Sequence, residues 1–397
     1  MKITRVLLAI TSSFIIGILI EQYFFCPKFS FEIPRPFSGR YFYNPYDSIN
    51  EDDWQKCNFH AHSNAWHGFS NGKGTSADIY RAYDSMKYAV HCVSDYQKVN
   101  TDFTNSPGYI PAYEHGYNLT KTHQLVVGSR GVLWLDYLFP QSLDNKQNIL
   151  NHLSDVGDQV VVVNHPGDHY SYAARDFDCL TNYDGIEVLS RFALSFAHWD
   201  SALSNGHPAF VLGNDDVHDI FLKETLGKMC TWVNSPVVNK KSILSALKTG
   251  KSYGMIIEKS NGVLPKLRRF NVTTDTISIV MSQPAEQITF IGQHGKVLAN
   301  YSNTTSSKYI IQPEDHYVRT EIEFEGPVKI FLNPVFRYDG RPIAKRPAIV
   351  NVPKTILFRF IGVIIFAGWL LTAILFSLSK IARQKIKKRL HFRTTIQ

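Results

Sequence analysis

Apolar positions along the chain have two textures. Continuous apolar runs lie near both ends, and between them short apolar stretches alternate with polar ones. Phe360–Ser379 is twenty residues without a charge, FIGVIIFAGWLLTAILFSLS. At about 1.5 Å per residue a helix of that length spans roughly 30 Å, the thickness of bilayer hydrocarbon. Val6–Ile20 is fifteen uncharged residues between Arg5 and Glu21. That is short for a span, but Tyr23, Phe24 and Phe25 come after it and suit a membrane interface. No small-x-small cleavage site comes next, so the segment reads as an uncleaved anchor. The expected layout is an anchor over residues 1–25, a proline-rich connector over 26–55, a transmembrane helix over 356–379 and a tail over 380–397.

Residues 56–258 alternate strand-like and helical patterns. Ile79, Ala82, Tyr83 and Met86 recur at helical spacing after Ser76, which reads as the N-cap. Further helices are expected over 146–156, 198–204 and 241–248, the last stopped by Gly250. Residues 88–93, 125–127, 159–163, 185–189 and 209–212 read as strands, most of them continuous apolar runs that suit burial on both faces. This alternation predicts an α/β fold, a β/α barrel of TIM-like form. After 258 the pattern changes to period two, as in Val318, Thr320, Ile322 and Phe324. Residues 259–345 read as a small C-terminal antiparallel β-domain, so that two transmembrane helices flank the whole.

Charge orients the layout. The formal net charge is +8. Seven basic residues and no acid lie within 380–397, and Lys2 and Arg5 add two more. Setting those nine aside leaves the remainder at about −1, too little for a nucleic-acid footprint. Lys and Arg concentrate on the cytoplasmic side of spans, so both termini are expected in the cytoplasm and residues 26–355 across the membrane. The basic tail suits anionic membrane lipids. The five cysteines, Cys26, Cys57, Cys92, Cys179 and Cys230, are scattered without a Cys-x-x-Cys pair, which argues against a thiolate metal site.

Candidate chemistry falls next to the expected strands. His60 and His62 are two apart, so a strand would place both on one face. Asp95 ends the second strand, and Glu114 lies in Ile110-Pro111-Ala112-Tyr113-Glu114. His123 precedes a strand, His165 follows one, and Asp216 and His218 follow another. In a parallel barrel the C-terminal strand ends converge on one mouth. Five histidines with the carboxylates of Glu114 and Asp216 there form a donor set for divalent metal ions. Arg130, His169 and Lys98 are candidate substrate contacts.

These motifs resemble the PHP family, named for polymerase and histidinol phosphatase domains. His60-Ala61-His62 with Ser70-Asn71-Gly72 resembles its first motif, Ser94-Asp95-Tyr96 its second, and Glu114 its glutamate motif. His123-Gln124-Leu125-Val126-Val127-Gly128, His165-Pro166 and Asp216-Val217-His218 resemble the remaining three. The likeness covers about residues 56–255. Downstream, Ala246–Tyr253, Tyr317-Val318-Arg319 and Asn333-Pro334 resemble the carbaryl-hydrolase-like branch. The chain departs from the pattern at Tyr96, Asn71 and Asn58, where the family has metal-binding or acidic residues.

The resemblance implies a distorted β/α barrel, a cluster of two or three metal ions and ester hydrolysis, most often of phosphoesters. With Tyr96 and Asn71 in place of metal-binding residues, two divalent ions (Mn, Zn or Fe) are expected. It places His60, His62, Glu114 and Asp216 on one ion, with Glu114 bridging to a second held by His123 and His165. His218 completes either site or transfers a proton. Asp95 is expected to orient a ligand imidazole, and Arg130 and His169 to contact a small-molecule or lipid-headgroup ester. The alternative is a catalytically silent binding or scaffold protein on the same fold.

Overall fold

The structure is a computed structural model that describes residues 2–68, 70–155, 157–168, 171–258, 262–342, 348–378 and 385. Apart from Lys385, the basic tail from Lys380 onward lies outside them. The strands are β1 (Phe29–Ser30), β2 (Tyr41–Tyr43), β3 (Trp54–Asn58), β4 (Val90–His91), β5 (Ala112–His115) and β6 (Gln124–Val127). Next come β7 (Val160–Val163), β8 (Gly185–Leu189), β9 (Phe210–Gly213), β10 (Met229–Asn234), β11 (Ser252–Ile257) and β12 (Leu267–Thr273). The last are β13 (Thr276–Ile291), β14 (Val297–Ile310), β15 (Tyr317–Phe324), β16 (Val328–Tyr338) and β17 (Ile349–Val350). The helices are α1 (Lys2–Ile20), α2 (Ser76–Ser85), α3 (Leu143–Ser154), α4 (Phe196–Ser204), α5 (Lys240–Lys248) and α6 (Val352–Ser377). The chain divides into two units.

One unit comprises residues 1–30, 137–148 and 349–397. Its two long helices are long and apolar enough to cross a membrane. The first is longer than the apolar pattern suggests, because α1 continues through a π-helical turn over Glu21–Phe25 and the candidate span runs Ile3–Phe25. The two helices pack together. Trp369 Nε1 donates to Ser13 Oγ at 3.2 Å, and a Cβ at Gly362 would lie 2.8 Å from Phe24 Cβ. Beyond them β1 pairs antiparallel with β17. The Gln22 side chain is buried, donating to the Phe139 carbonyl at 2.9 Å and accepting from the Phe139 amide at 3.0 Å. Both polar ends of its amide are thereby satisfied.

The other unit, residues 31–136 and 149–348, carries the candidate chemistry. It is mixed α/β and mostly sheet, and the expected TIM-like barrel does not close. Five strands form one sheet in the order β5-β6-β7-β8-β9, in which only β7-β8 and β8-β9 are parallel. Ten form the other, along β12-β13-β15-β16-β11-β10-β3-β4 with β14 on β13 and β2 on β16. The C-terminal strands therefore extend the sheet that holds β3; they do not form a sheet of their own.

Side chains replace strand pairing where a barrel would close. Thr231 Oγ1 accepts from the Gly213 amide at 3.0 Å and donates to the Gly213 carbonyl at 2.9 Å. Asn333 Oδ1 accepts from the Val211 amide at 2.7 Å. These contacts satisfy β9 backbone groups that a neighbouring strand would otherwise bond. At the other gap, the chain beyond β4 meets β5 through the isolated parallel bridge Tyr96–Glu114. Helix starts are well defined. Thr75, one residue before the expected Ser76, caps α2 in a reciprocal box with Asp78, and Asn239 caps α5.

Candidate metal centre

β3 ends at Asn58, and the extended chain beyond it carries His60 and His62 to one point, their Nε2 atoms 3.1 Å apart. The segment is pinned from both sides. Ala61 forms a parallel bridge with Val217, and the His62 amide donates to the Val217 carbonyl at 2.9 Å. Asn214, after β9, accepts from the Phe59 amide at 2.7 Å, and Asn58 accepts from the Asp215 amide at 2.9 Å. The two strand ends thus hold each other in register and bring Asp216 to the histidine pair.

Glu114 enters from β5, wholly buried. Its Oε2 lies 3.3 Å from His60 Nε2 and 3.1 Å from His62 Nε2. Asp216 Oδ1 lies 3.2 Å from His60 Nε2 and 3.3 Å from His62 Nε2. Four donors at about 2.0–2.1 Å from a tetrahedral ion stand about 3.3 Å from one another, close to the spacing of these atoms. The contacts are also poor hydrogen bonds: among the described residues, Glu114 Oε2 and Asp216 Oδ1 are buried without a hydrogen-bonding partner. Two buried carboxylate oxygens left this way carry a heavy desolvation cost unless a cation meets them. The residues present therefore fit a metal ion.

The other oxygen of Glu114 faces a second group. Oε1 lies 3.1 Å from His123 Nδ1 and 3.4 Å from His165 Nε2, and accepts from Asn164 Nδ2 at 2.8 Å. Glu114, His123 and His165 form a triad that could hold an ion, and so do His62, Asp216 and His218. His123 precedes its strand while His60, His62, His165, Asp216 and His218 follow theirs because β6 runs antiparallel to β5 and β7, so its beginning lies at their ends. His165 and Asp216 have φ of 24° and 46°, left-handed backbone that non-glycine residues seldom adopt and that concentrates at functional sites.

Electrostatics reflect this crowding. Burial opposes a charge on His60, yet Asp216, Glu114 and Glu187 outweigh it and hold its pKa well above the ordinary range. Burial likewise opposes a charge on His62, which Asp216 and Glu114 push up to about 9. Burial would raise Glu114 and Asp216, but the facing histidines, His60 foremost, hold both well below the usual carboxylate range. Protons and a divalent cation thus compete for one set of lone pairs. His218, at the open edge, is held below the ordinary histidine value by burial.

Glu187, which the sequence pattern did not single out, belongs to the cluster. It sits in β8 with Oε1 3.0 Å from His60 Nδ1, and Asn214 Nδ2 donates to the same oxygen at 2.9 Å. The signal was one acid inside the apolar run Gly185–Leu189.

The remaining candidates separate. Both oxygens of Asp95 are taken by Ser63, whose amide and hydroxyl donate at 2.7 Å each. Asp95 therefore fixes the turn after His62, and the expected imidazole contact is replaced by this one. Arg130 is exposed beyond the far end of β6, near Lys240, because that antiparallel strand leads the chain away from the cluster. Lys98 is exposed in the turn after Asp95. His169 lies outside the described residues. Tyr96 stacks on His62 with ring centroids 4.5 Å apart.

No protein-family model matches the chain, and no curated protein does. Among solved structures it is similar to a two-domain protein from Bacteroides vulgatus containing a predicted PHP-like metal-dependent phosphoesterase. The two share 12% identity over 81% of this chain and 100% of that one, with a TM-score of 0.38. The functional reading rests on this chain's own side chains.

Proposed function

We propose that the chain is a membrane-anchored, metal-dependent hydrolase of PHP type, of the carbaryl-hydrolase-like branch, acting on phosphoesters. The observation that carries this reading is the convergence of four buried donor atoms, from His60, His62, Glu114 and Asp216, through contacts of 3.1–3.3 Å, with two carboxylate oxygens otherwise unpartnered. These four would hold one ion, and Glu114, His123 and His165 a second. Divalent ions bound there supply positive charge that polarises an ester and acidifies water. Glu187 holds a proton on His60 Nδ1 and so presents Nε2 as a lone pair. Asn164 and Asn214 fix the carboxylates of Glu114 and Glu187. His218, held towards its neutral form by burial at the open edge, would pass a proton to or from substrate.

The two apolar helices support anchoring, and Lys2, Arg5 and the basic residues of 380–397 favour both termini in the cytoplasm with the hydrolase residues across the membrane. A reporter fused after residue 397 should register cytoplasm, and an external signal there would overturn the orientation. Metal analysis of the purified full-length chain tests the centre: less than one equivalent of Mn, Zn or Fe would sink it. With metal bound, His165→Ala should abolish turnover of a generic phosphodiester. A silent scaffold is the second reading, favoured by Tyr96 stacked on His62 and by exposed Asn71; a metal-loaded chain that turns over no ester would establish it.

A further inference from the structure

Aromatic rings surround the candidate metal centre. Trp66 and Trp134 are 43% and 59% exposed, yet they touch each other with ring centroids 6.2 Å apart. They are tied to the cluster through Tyr96. Trp66 Nε1 donates to the Tyr96 carbonyl at 2.7 Å, and the Tyr96 ring stacks on His62. Another aromatic approaches the same histidines: Phe192 is 40% exposed, and its ring centroid is 5.8 Å from that of His218 and 6.4 Å from that of His165. Exposed tryptophans are costly to leave in water, and a contacting pair beside a buried polar centre forms an apolar surface suited to a ligand.

Two cations flank Phe192. The Arg191 guanidinium lies 5.0 Å from its ring and Lys121 Nζ 5.7 Å. Lys121 is paired with Asp168 at 3.2 Å, whereas Arg191 has no carboxylate partner among the described residues. One guanidinium without a carboxylate partner among the described residues, a donor set that fits cations and an exposed indole pair thus lie around the same cluster. The complementary ligand is anionic at one end and apolar at the other.

We infer that the site takes an amphiphilic phosphoester, its anionic group directed to the cluster and Arg191 and its apolar substituent laid on Trp66 and Trp134. This rests on the hydrolase reading and adds a substituent that the metal cluster alone does not require. Each methylene removed from water favours binding severalfold, so a hexyl group should gain at least about tenfold over a methyl.

The test uses the full-length, metal-loaded chain in nanodiscs with p-nitrophenyl methyl phosphate and p-nitrophenyl hexyl phosphate. The expected result is a hexyl-to-methyl ratio of kcat/KM of at least about ten, carried by KM. That ratio should fall towards one in Trp66→Ala and Trp134→Ala, both exposed positions. Arg191→Gln should raise KM for both esters and leave the ratio in place. Equal rates for the two esters would overturn the apolar subsite and leave the hydrolase reading standing. A ratio that persists in both tryptophan variants would also overturn it. If neither ester is cleaved, the hydrolase reading fails and binding decides. Methyl hexylphosphonate should then change tryptophan fluorescence in the wild-type chain and not in Trp134→Ala, and no change in the wild type would refute the subsite.

Discussion

Glu187 Oε1 lies 3.0 Å from His60 Nδ1, although 127 residues separate the two along the chain. The contact leaves His60 one ring nitrogen for the cluster. Partners of this kind, when removed from a metal-binding histidine, typically cost about 10–100-fold in metal affinity. Glu187→Gln should therefore weaken metal binding by that order while the chain remains folded. Metal titration with circular dichroism alongside measures both, and unchanged affinity would remove Glu187 from the centre.

The protonation of the cluster sets a pH dependence. His60 is raised well above 6.5 and His62 to about 9. A raised histidine pKa stabilises the metal-free fold fully below 6.5, and that contribution is lost as pH climbs through about 9. The chelated chain should then unfold at a lower temperature at pH 9.5 than at pH 6.5. Metal must displace the same protons, so its affinity should weaken as pH falls from about 9 towards 6.5. Thermal unfolding with and without chelator, and metal titrations across that range, would show both trends.

Adjacent aspartates should fail in different ways. Asp215 accepts from Tyr83 Oη at 2.9 Å and from the amides of Gly227, Lys228 and Met229 at 2.7–2.9 Å. Asp215→Ala strands those donors and should cost about 3 kcal/mol of stability. Asp216→Asn should spare the fold and lose metal. Denaturant unfolding and metal content distinguish the two, and the reverse pattern would contradict these assignments.

Close packing of the two long helices depends on Gly362. A side chain there would drive into Phe24 and Phe25. With cysteines at Ser13→Cys and Trp369→Cys, oxidation of membranes should cross-link the helices efficiently, and Gly362→Leu should lower the yield severalfold. Equal yields would mean that the pair tolerates separation at this point.

Much of the cluster was legible because its residues lie beside strand ends, where alternation and apolar runs can be read. His60 and His62 are marked by period two, and His165 by the run Val160–Val163. Glu187 was missed because one acid within a buried strand resembles an interruption of the apolar pattern. The barrel failed to appear for a subtler reason. Local periodicity distinguishes strand from helix, but closure depends on which edge each strand bonds. Thr231 and Asn333 occupy edges that the pattern assigns to neighbouring strands. Arg130 was misplaced by the same ignorance of direction: it comes after β6, which runs against β5 and β7.

The pairing of Phe29 with Val350 bears on how the chain comes to fold. It brings together the two ends of the long segment between the apolar helices. Closing a free loop of roughly 320 residues costs about 5 kcal/mol of chain entropy. Helices that pair first would meet that cost before the intervening sheets form. The ten-stranded sheet joins β3 to strands more than 170 residues later, so in that order its assembly would begin from a chain whose ends are already tethered. Separated from its helices, the same segment would have to close that loop unaided, and slower refolding is the expected consequence.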